Sequence, residues 1–121
     1  MHLFITGTTT LQHMAAEFCK IYPSLRLAFF KRKNNPFQSF KKIDNLQLSL
    51  IDLDCIVPDS HLSIQFWQTT SAVEKLLSTH TGLKVEIMRK YGTKWIRTDG
   101  SDGLTLEEQN QLSETVFQQP Y

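Results

Sequence analysis

One pattern occurs twice in this chain, and it constrains the fold more than any other feature. Leu3-Phe4-Ile5-Thr6 reads as a short strand ending at Gly7. Thr9 then opens a capping box with Gln12, the hydroxyl-and-amide signature of a helix start. Leu11, Met14, Ala15, Phe18 and Ile21 follow at helical spacing until Pro23 ends the run. Leu25, Leu27 and Phe29 then alternate with Arg26, Ala28 and Phe30 as a strand does. Further along, Leu62, Ile64 and Phe66 alternate with Ser63, Gln65 and Trp67. Ser71 opens a second capping box with Glu74, Val73, Leu76 and Leu77 form an apolar stripe, Gly82 closes it, and Leu83, Val85 and Ile87 alternate again.

Aligned on those caps, Leu11 matches Val73, Met14 matches Leu76 and Ala15 matches Leu77. Cap to strand is then 16 residues in the first unit and 12 in the second. Four residues is about one helical turn, so such a deletion keeps the buried face. The reading is an internal duplication of a βαβ unit. It predicts an α+β domain with a ferredoxin-like split βαβ sheet, an extra hairpin strand and a C-terminal helix. The whole chain, 1–121, is one domain: a first pseudo-repeat at 2–31, a connection at 32–60, a second pseudo-repeat at 61–98 and a helix at 104–117. Helices are expected near 10–21, 72–80 and 105–116, and strands near 2–6, 25–31, 61–67, 83–90 and 93–98. Residues 43–56 fit either a strand or a short helical turn around 47–53, and the turn is the reading preferred.

Tyr91-Gly92 reads as a two-residue hairpin loop with glycine at positive φ. That register sets Met88 opposite Trp95, Ile87 opposite Ile96 and Glu86 opposite Arg97. Thr105 and Glu108 form a third capping box, ahead of a polar helix whose apolar positions are Leu106, Leu112 and Val116. With two helices on one face of the sheet, the other face carries Phe4, Phe30, Trp67, Met88, Trp95 and Arg97. Five large apolar groups are too many for a solvated sheet surface. The expectation is that they are covered, by the 43–56 connection, by the C-terminal helix or by another chain.

Composition sets the remaining bounds. The hydrophobic fraction is 40% and the charged fraction 21%, which is ordinary for a folded globular chain. A net charge of +1 argues against a dedicated polyanion binder. Charge is nonetheless uneven: residues 31–42 hold Lys31, Arg32, Lys33, Lys41 and Lys42 with no acid, interleaved with Phe37 and Phe40. That combination could hold phosphates and stack bases. No apolar run reaches the ~18 residues of a membrane span. Cys19 and Cys55 have no metal or redox spacing, and no basic-then-apolar leader opens the sequence. The expectation is two reduced, buried thiols in a cytoplasm.

The candidate reactive motifs fail on spacing. His2, His13, His61 and His80 have no second ligand at metal spacing. Asp99, Ser101 and Asp102 begin like a calcium loop, but the twelfth position is Asn110 where that loop needs a bidentate acid. Gly7-Thr8-Thr9-Thr10 lacks the lysine and second glycine of a phosphate loop. No serine or cysteine stands in a nucleophile elbow.

Arg89-Lys90-Tyr91-Gly92-Thr93-Lys94-Trp95, then Thr98-Asp99 and Thr105-Leu106-Glu107-Glu108-Gln109-Asn110, span about a third of the chain. They resemble a family of small bacterial proteins of uncharacterised activity, which carry an RK-x-G-x-x-W hairpin and a TLEEQN-like end. The resemblance implies a bacterial cytoplasmic setting and carries no activity, cofactor or catalytic residue.

Taken together, the sequence predicts a non-enzymatic interaction or assembly module, a small subunit of a bacterial complex, with no cofactor and no membrane contact. Its partner would be another protein chain meeting Phe4, Phe30, Trp67, Met88, Trp95 and Arg97. The alternative is a nucleic-acid binder using Lys31, Arg32, Lys33, Lys41 and Lys42 with the open sheet face. A third reading is a small enzyme with an unrecognised site.

Overall fold

A computed structural model describes residues 1–32 and 39–118, with side chains described as far as Leu112. The order of elements is β1 (His2–Ile5), α1 (Leu11–Ile21), β2 (Leu25–Arg32), β3 (Phe40–Lys42), β4 (Ser60–Ser63), α2 (Thr70–Thr81), β5 (Lys84–Tyr91), β6 (Lys94–Arg97) and α3 (Leu106–Gln118). The fold is α+β: among the described residues, three helices and two antiparallel sheets.

The sheets are partitioned differently from the single split βαβ sheet that the sequence predicts. β1 and β4 pair only with each other, from His2↔Ser63 to Ile5↔Ser60. β2 and β5 pair directly over six positions, from Leu25↔Arg89 to Phe30↔Lys84, which leaves no slot between them for β4. β3 and β6 flank that pair, giving the order β3-β2-β5-β6. β3 lies where the sequence reading had only a connection.

The two halves build the same hydrogen-bond framework. Thr10 caps α1 by accepting from His13 N, and Thr69 caps α2 by accepting from Ala72 N. Leu11 N and Gln12 N donate to Leu48 O and Leu46 O; Thr70 N and Ser71 N donate to Leu104 O and Asp102 O. Each docked segment then enters a reciprocal capping box, Ser49 with Asp52 and Thr105 with Glu108. The next residues, Leu50 and Leu106, are fully buried.

These contacts move the caps from Thr9 and Ser71, as read from sequence, to Thr10 and Thr69. Helix positions therefore match as Leu11/Thr70, Met14/Val73 and Phe18/Leu77, every one of them buried. Cap to strand is 15 residues in each half, Thr10 to Leu25 and Thr69 to Lys84, so no helical turn is missing. Thr9 and Ser71 are displaced because the turns before the helices use other groups. Thr9 Oγ1 accepts from Thr6 N, and Gln68 Oε1 accepts from Gln65 N at the equivalent place.

That second turn ends β4 at Ser63. Ile64 is still buried, but Phe66 and Trp67 leave the strand and are 54% and 62% exposed. The strand predicted over 61–67 is therefore four residues long, and Trp67 does not lie on a sheet face. The turn expected around 47–53 forms over 49–54, closed by Leu53 N to Ser49 O and Cys55 N to Leu50 O. A Cβ at Gly7 would stand 2.8 Å from the side chain of exposed Ile51, which would have to shift to admit it.

The core lies between the helices and the inner faces of both sheets, with Leu3, Ile5, Phe18, Phe29, Ile64 and Ile87 all essentially inaccessible. The hairpin loop is Gly92-Thr93 rather than Tyr91-Gly92, since Tyr91 pairs with Lys94. Glycine at φ 63° occupies the first loop position. This register is two residues from the predicted one, so Trp95 faces Lys90 and Arg97 faces Met88. A two-residue shift keeps every side chain on its predicted face.

Candidate functional site

The outer face of the four-stranded sheet is set by strand alternation. Arg26, Ala28, Phe30 and Arg32 of β2 point away from the helices, and pairing places Phe40 and Lys42 of β3 beside them. From β5 and β6 come Lys84, Glu86, Met88, Lys90, Trp95 and Arg97. The face thus carries basic side chains on all four strands and, within those strands, one carboxylate, Glu86. Arg97 donates to Glu86 Oε1 at 2.9 Å, so the predicted pair forms, between diagonal neighbours. Lys84 Nζ is 3.4 Å from the same oxygen, and Arg97 also approaches Asp99 at 3.8 Å.

Cations also stand over the aromatic rings. The Arg26 guanidinium lies 4.9 Å from the Trp95 ring centre and Lys84 Nζ 4.7 Å from that of Phe40. Arg32 lies 5.6 Å from the Phe40 ring centre. Such contacts are worth about 0.5–1 kcal/mol at exposed sites. Phe30, Met88 and Trp95 are half-buried, and the methylene stems of the basic residues beside them contribute to that shielding. A shallow depression of about 300 Å³ runs between Phe40 and Arg97 across Ala28 and Met88.

Among the described residues, none of the 43–56 connection or of α3 lines the depression on this face. The 43–56 connection sends Leu50 and Leu53 into the core, and α3 anchors there through Leu106. Asn110 Oδ1 of α3 accepts from Ser24 N at the start of β2.

The residues singled out from sequence are therefore only partly brought together. Phe30, Met88, Trp95 and Arg97 share the outer face. Phe4 lies on the small sheet, 59% exposed, beside His61, which stacks on His2 at 5.1 Å. Trp67 sits in the turn before α2. Of the basic run, Arg32 and Lys42 lie on the outer face, whereas Lys31 and Lys41 oppose each other on the opposite side, Lys31 reaching Asp54 at 3.9 Å. Lys33 and Phe37 lie outside the described residues. Arg26 and Lys84 were missed as site residues, and Phe40 was read only as part of the basic run. Alternation within β2 and β5 already placed Arg26 and Lys84 on this face, whereas Phe40 needed the pairing of β3.

No known family model matches the chain, and no curated protein or solved structure does.

Two further groups bear on chemistry. Cys19 and Cys55 are unbonded and half-buried rather than buried, and burial pushes the Cys55 thiol up. Glu74, on α2, accepts from Ile87 N at 2.8 Å. Burial raises its carboxyl above the usual range; the Ile87 bond opposes this, and Glu86, Asp102 and Asp99 add to it. Among the described residues no three His, Cys, Asp or Glu side chains gather as a metal site, and no helix is long and apolar enough to cross a membrane.

A pH dependence follows. The folded state holds the Glu74 proton more tightly than the unfolded state does. Its contribution to stability is therefore largest at low pH and is lost as pH rises through the raised value. Glu74→Gln keeps an oxygen for Ile87 N and removes the charge. Urea midpoints of wild type and variant, compared across the carboxylate range, should diverge as pH rises, with the variant gaining. A constant difference would refute the assignment.

Proposed function

We propose that this chain is a non-enzymatic interaction module that holds an acidic partner chain against the outer face of the four-stranded sheet. The observation that carries the reading is the charge of that face. Arg26, Arg32, Lys42, Lys84 and Arg97 surround half-buried Phe30, Met88 and Trp95, opposed among the described residues by Glu86 and by Asp99 beside Arg97, on a chain whose net charge is +1. A basic rim around an apolar centre suits a partner bearing carboxylates around an apolar anchor. The repeated framework supports an internal duplication, here of a βαββ unit. The resemblance of residues 89–110 to a bacterial family supports a cytoplasmic complex as its setting.

A second reading, single-stranded nucleic acid, is favoured by the cations lying over Phe40 and Trp95, since aromatic platforms flanked by Arg and Lys also hold bases and phosphates. An oligoglutamate peptide and a single-stranded oligonucleotide of equal charge separate the two, read by Trp95 fluorescence in a Trp67→Phe background, since Trp67 is the chain's other tryptophan. The peptide should bind, weaken with salt, and be lost in the Lys42→Glu/Arg97→Glu double variant while the far-ultraviolet spectrum stays unchanged. Tighter binding of the oligonucleotide with a steeper salt slope would move the assignment to the second reading. Binding of neither, or equal binding by the double variant, would overturn both.

A further inference from the structure

The repeated framework places two grooves at equivalent positions, and the two are finished differently. Each lies between a helix and the flank of the strand that follows it. The second is lined by Glu74 and Ser78 of α2 with Val85 and Thr98. There the side chains of α2 close the strand flank: Ser78 Oγ accepts from Val85 N at 2.9 Å and Glu74 Oε2 from Ile87 N at 2.8 Å. Thr98 Oγ1 donates to Ile87 O.

The first groove is about 470 Å³ and is lined by Ala15 and Cys19 of α1 with Leu27, Phe29, Ile43 and Leu46. Counted from the N-caps Thr10 and Thr69, Ala15 stands where Glu74 does and Cys19 where Ser78 does. By burial and by their crossed pairing, Leu27↔Ile87 and Phe29↔Val85, Leu27 matches Val85 and Phe29 matches Ile87.

The strand donors are therefore repeated while their acceptors are not. Ile87 turns its N–H away from β2 toward Glu74, so its cross-strand partner Leu27 turns its own N–H the other way, into the first groove. Phe29, opposite Val85, does the same. Phe29 O accepts from Ile43 N at 2.8 Å, but among the described residues no hydrogen bond reaches Leu27 N or Phe29 N. Paired donors at the wall of a groove this size are a ready oxygen site.

The surroundings differ in the direction an anion needs. Glu86 and Asp102, which crowd Glu74 in the second half, are replaced in the first by Ala28 and Leu46. Lys42 also lines the first groove, with Asp44 its one carboxylate.

We infer that the groove between α1 and β2 binds a small monocarboxylate with an apolar body. Its carboxylate takes, on the N–H groups of Phe29 and Leu27, the place that Glu74 and Ser78 fill in the other half. The apolar body lies against Ala15, Cys19 and Leu46. This groove shares Lys42 with the edge of the outer sheet face, but its donors, Leu27 N and Phe29 N, play no part in the function proposed for that face.

Amide resonances of the full chain test the inference, with hexanoate as probe and hexanamide as its uncharged match. In the free protein the Leu27 and Phe29 amides should exchange with solvent faster than those of Val85 and Ile87. Hexanoate should shift Leu27 and Phe29 saturably, and hexanamide should do so much less. Ala15→Glu supplies the missing acceptor from within and should abolish the response. Cys19→Leu, which fills the groove without a carboxylate, should abolish it too and serves if the first variant does not fold. Equal protection of all four amides, equal shifts by both probes, no saturable shift, or an undiminished response in a folded variant would each overturn the proposal.

Discussion

Replacing Phe18 with alanine should lower the stability of this chain by about 3–5 kcal/mol. Phe18 is fully buried on α1, with its ring centre 5.2 Å from that of Tyr22. Helix α1 joins the core through Leu11, Met14 and Phe18, one residue per turn, and Phe18 is the largest of the three. Removing its ring loses the transfer free energy and leaves a void that β2 cannot close, because Leu25 to Phe30 are locked in register with β5. A domain of this size has about 5–15 kcal/mol in total. The variant should therefore unfold at a much lower urea concentration with an unchanged slope. A loss below about 1 kcal/mol would mean that α1 does not dock as described.

Leu106→Ala should have the second largest effect, about 2–5 kcal/mol, whereas Leu112→Ala should change stability by less than about 0.5 kcal/mol. The sequence reads both residues as apolar positions of one polar helix. The structure buries Leu106 completely and leaves Leu112 37% exposed. The difference comes from how α3 begins. Leu106 N donates to Gln68 O and Glu107 N to Phe66 O, which pins the first turn of α3 against the start of α2. Among the described side chains of α3 the other buried one is Gln109, whose Nε2 donates to Ser101 O at 2.6 Å. Val116 lies beyond the described side chains. Equal losses for the two leucines in thermal or urea unfolding would show that α3 docks along its whole length.

The elements themselves were legible because each obeys a local rule. Period-two alternation marked Leu25–Phe29 and Leu83–Ile87, and Leu25, Leu27, Phe29, Val85 and Ile87 are buried as predicted, with Ala28 of the outer face buried besides. Thr105 with Glu108 was read correctly because a reciprocal capping box is complete within four residues. Thr9 and Ser71 misled for the same reason. Each has the right chemistry for a cap, but the neighbouring Thr10 and Thr69 also do, and only docking against Leu46–Leu48 or Asp102–Leu104 selects between them. The displacement of one cap by one residue and the other by two concealed the equivalence of Ala15 with Glu74, and with it the unfilled groove.

Composition, alternation and capping chemistry thus determined by themselves that this chain is α+β, where its helices and long strands lie, and which side chains of β2 and β5 face outward. They could do so because propensity and periodicity act over a few residues. The partner of each strand was decided only by the tertiary structure. Alternation leaves the ladder groups of every strand equally ready to pair, and pairing β2 directly with β5 rather than through β4 was settled by which arrangement buries both apolar faces at once. That choice set the basic outer face and left Leu27 N and Phe29 N turned toward a groove.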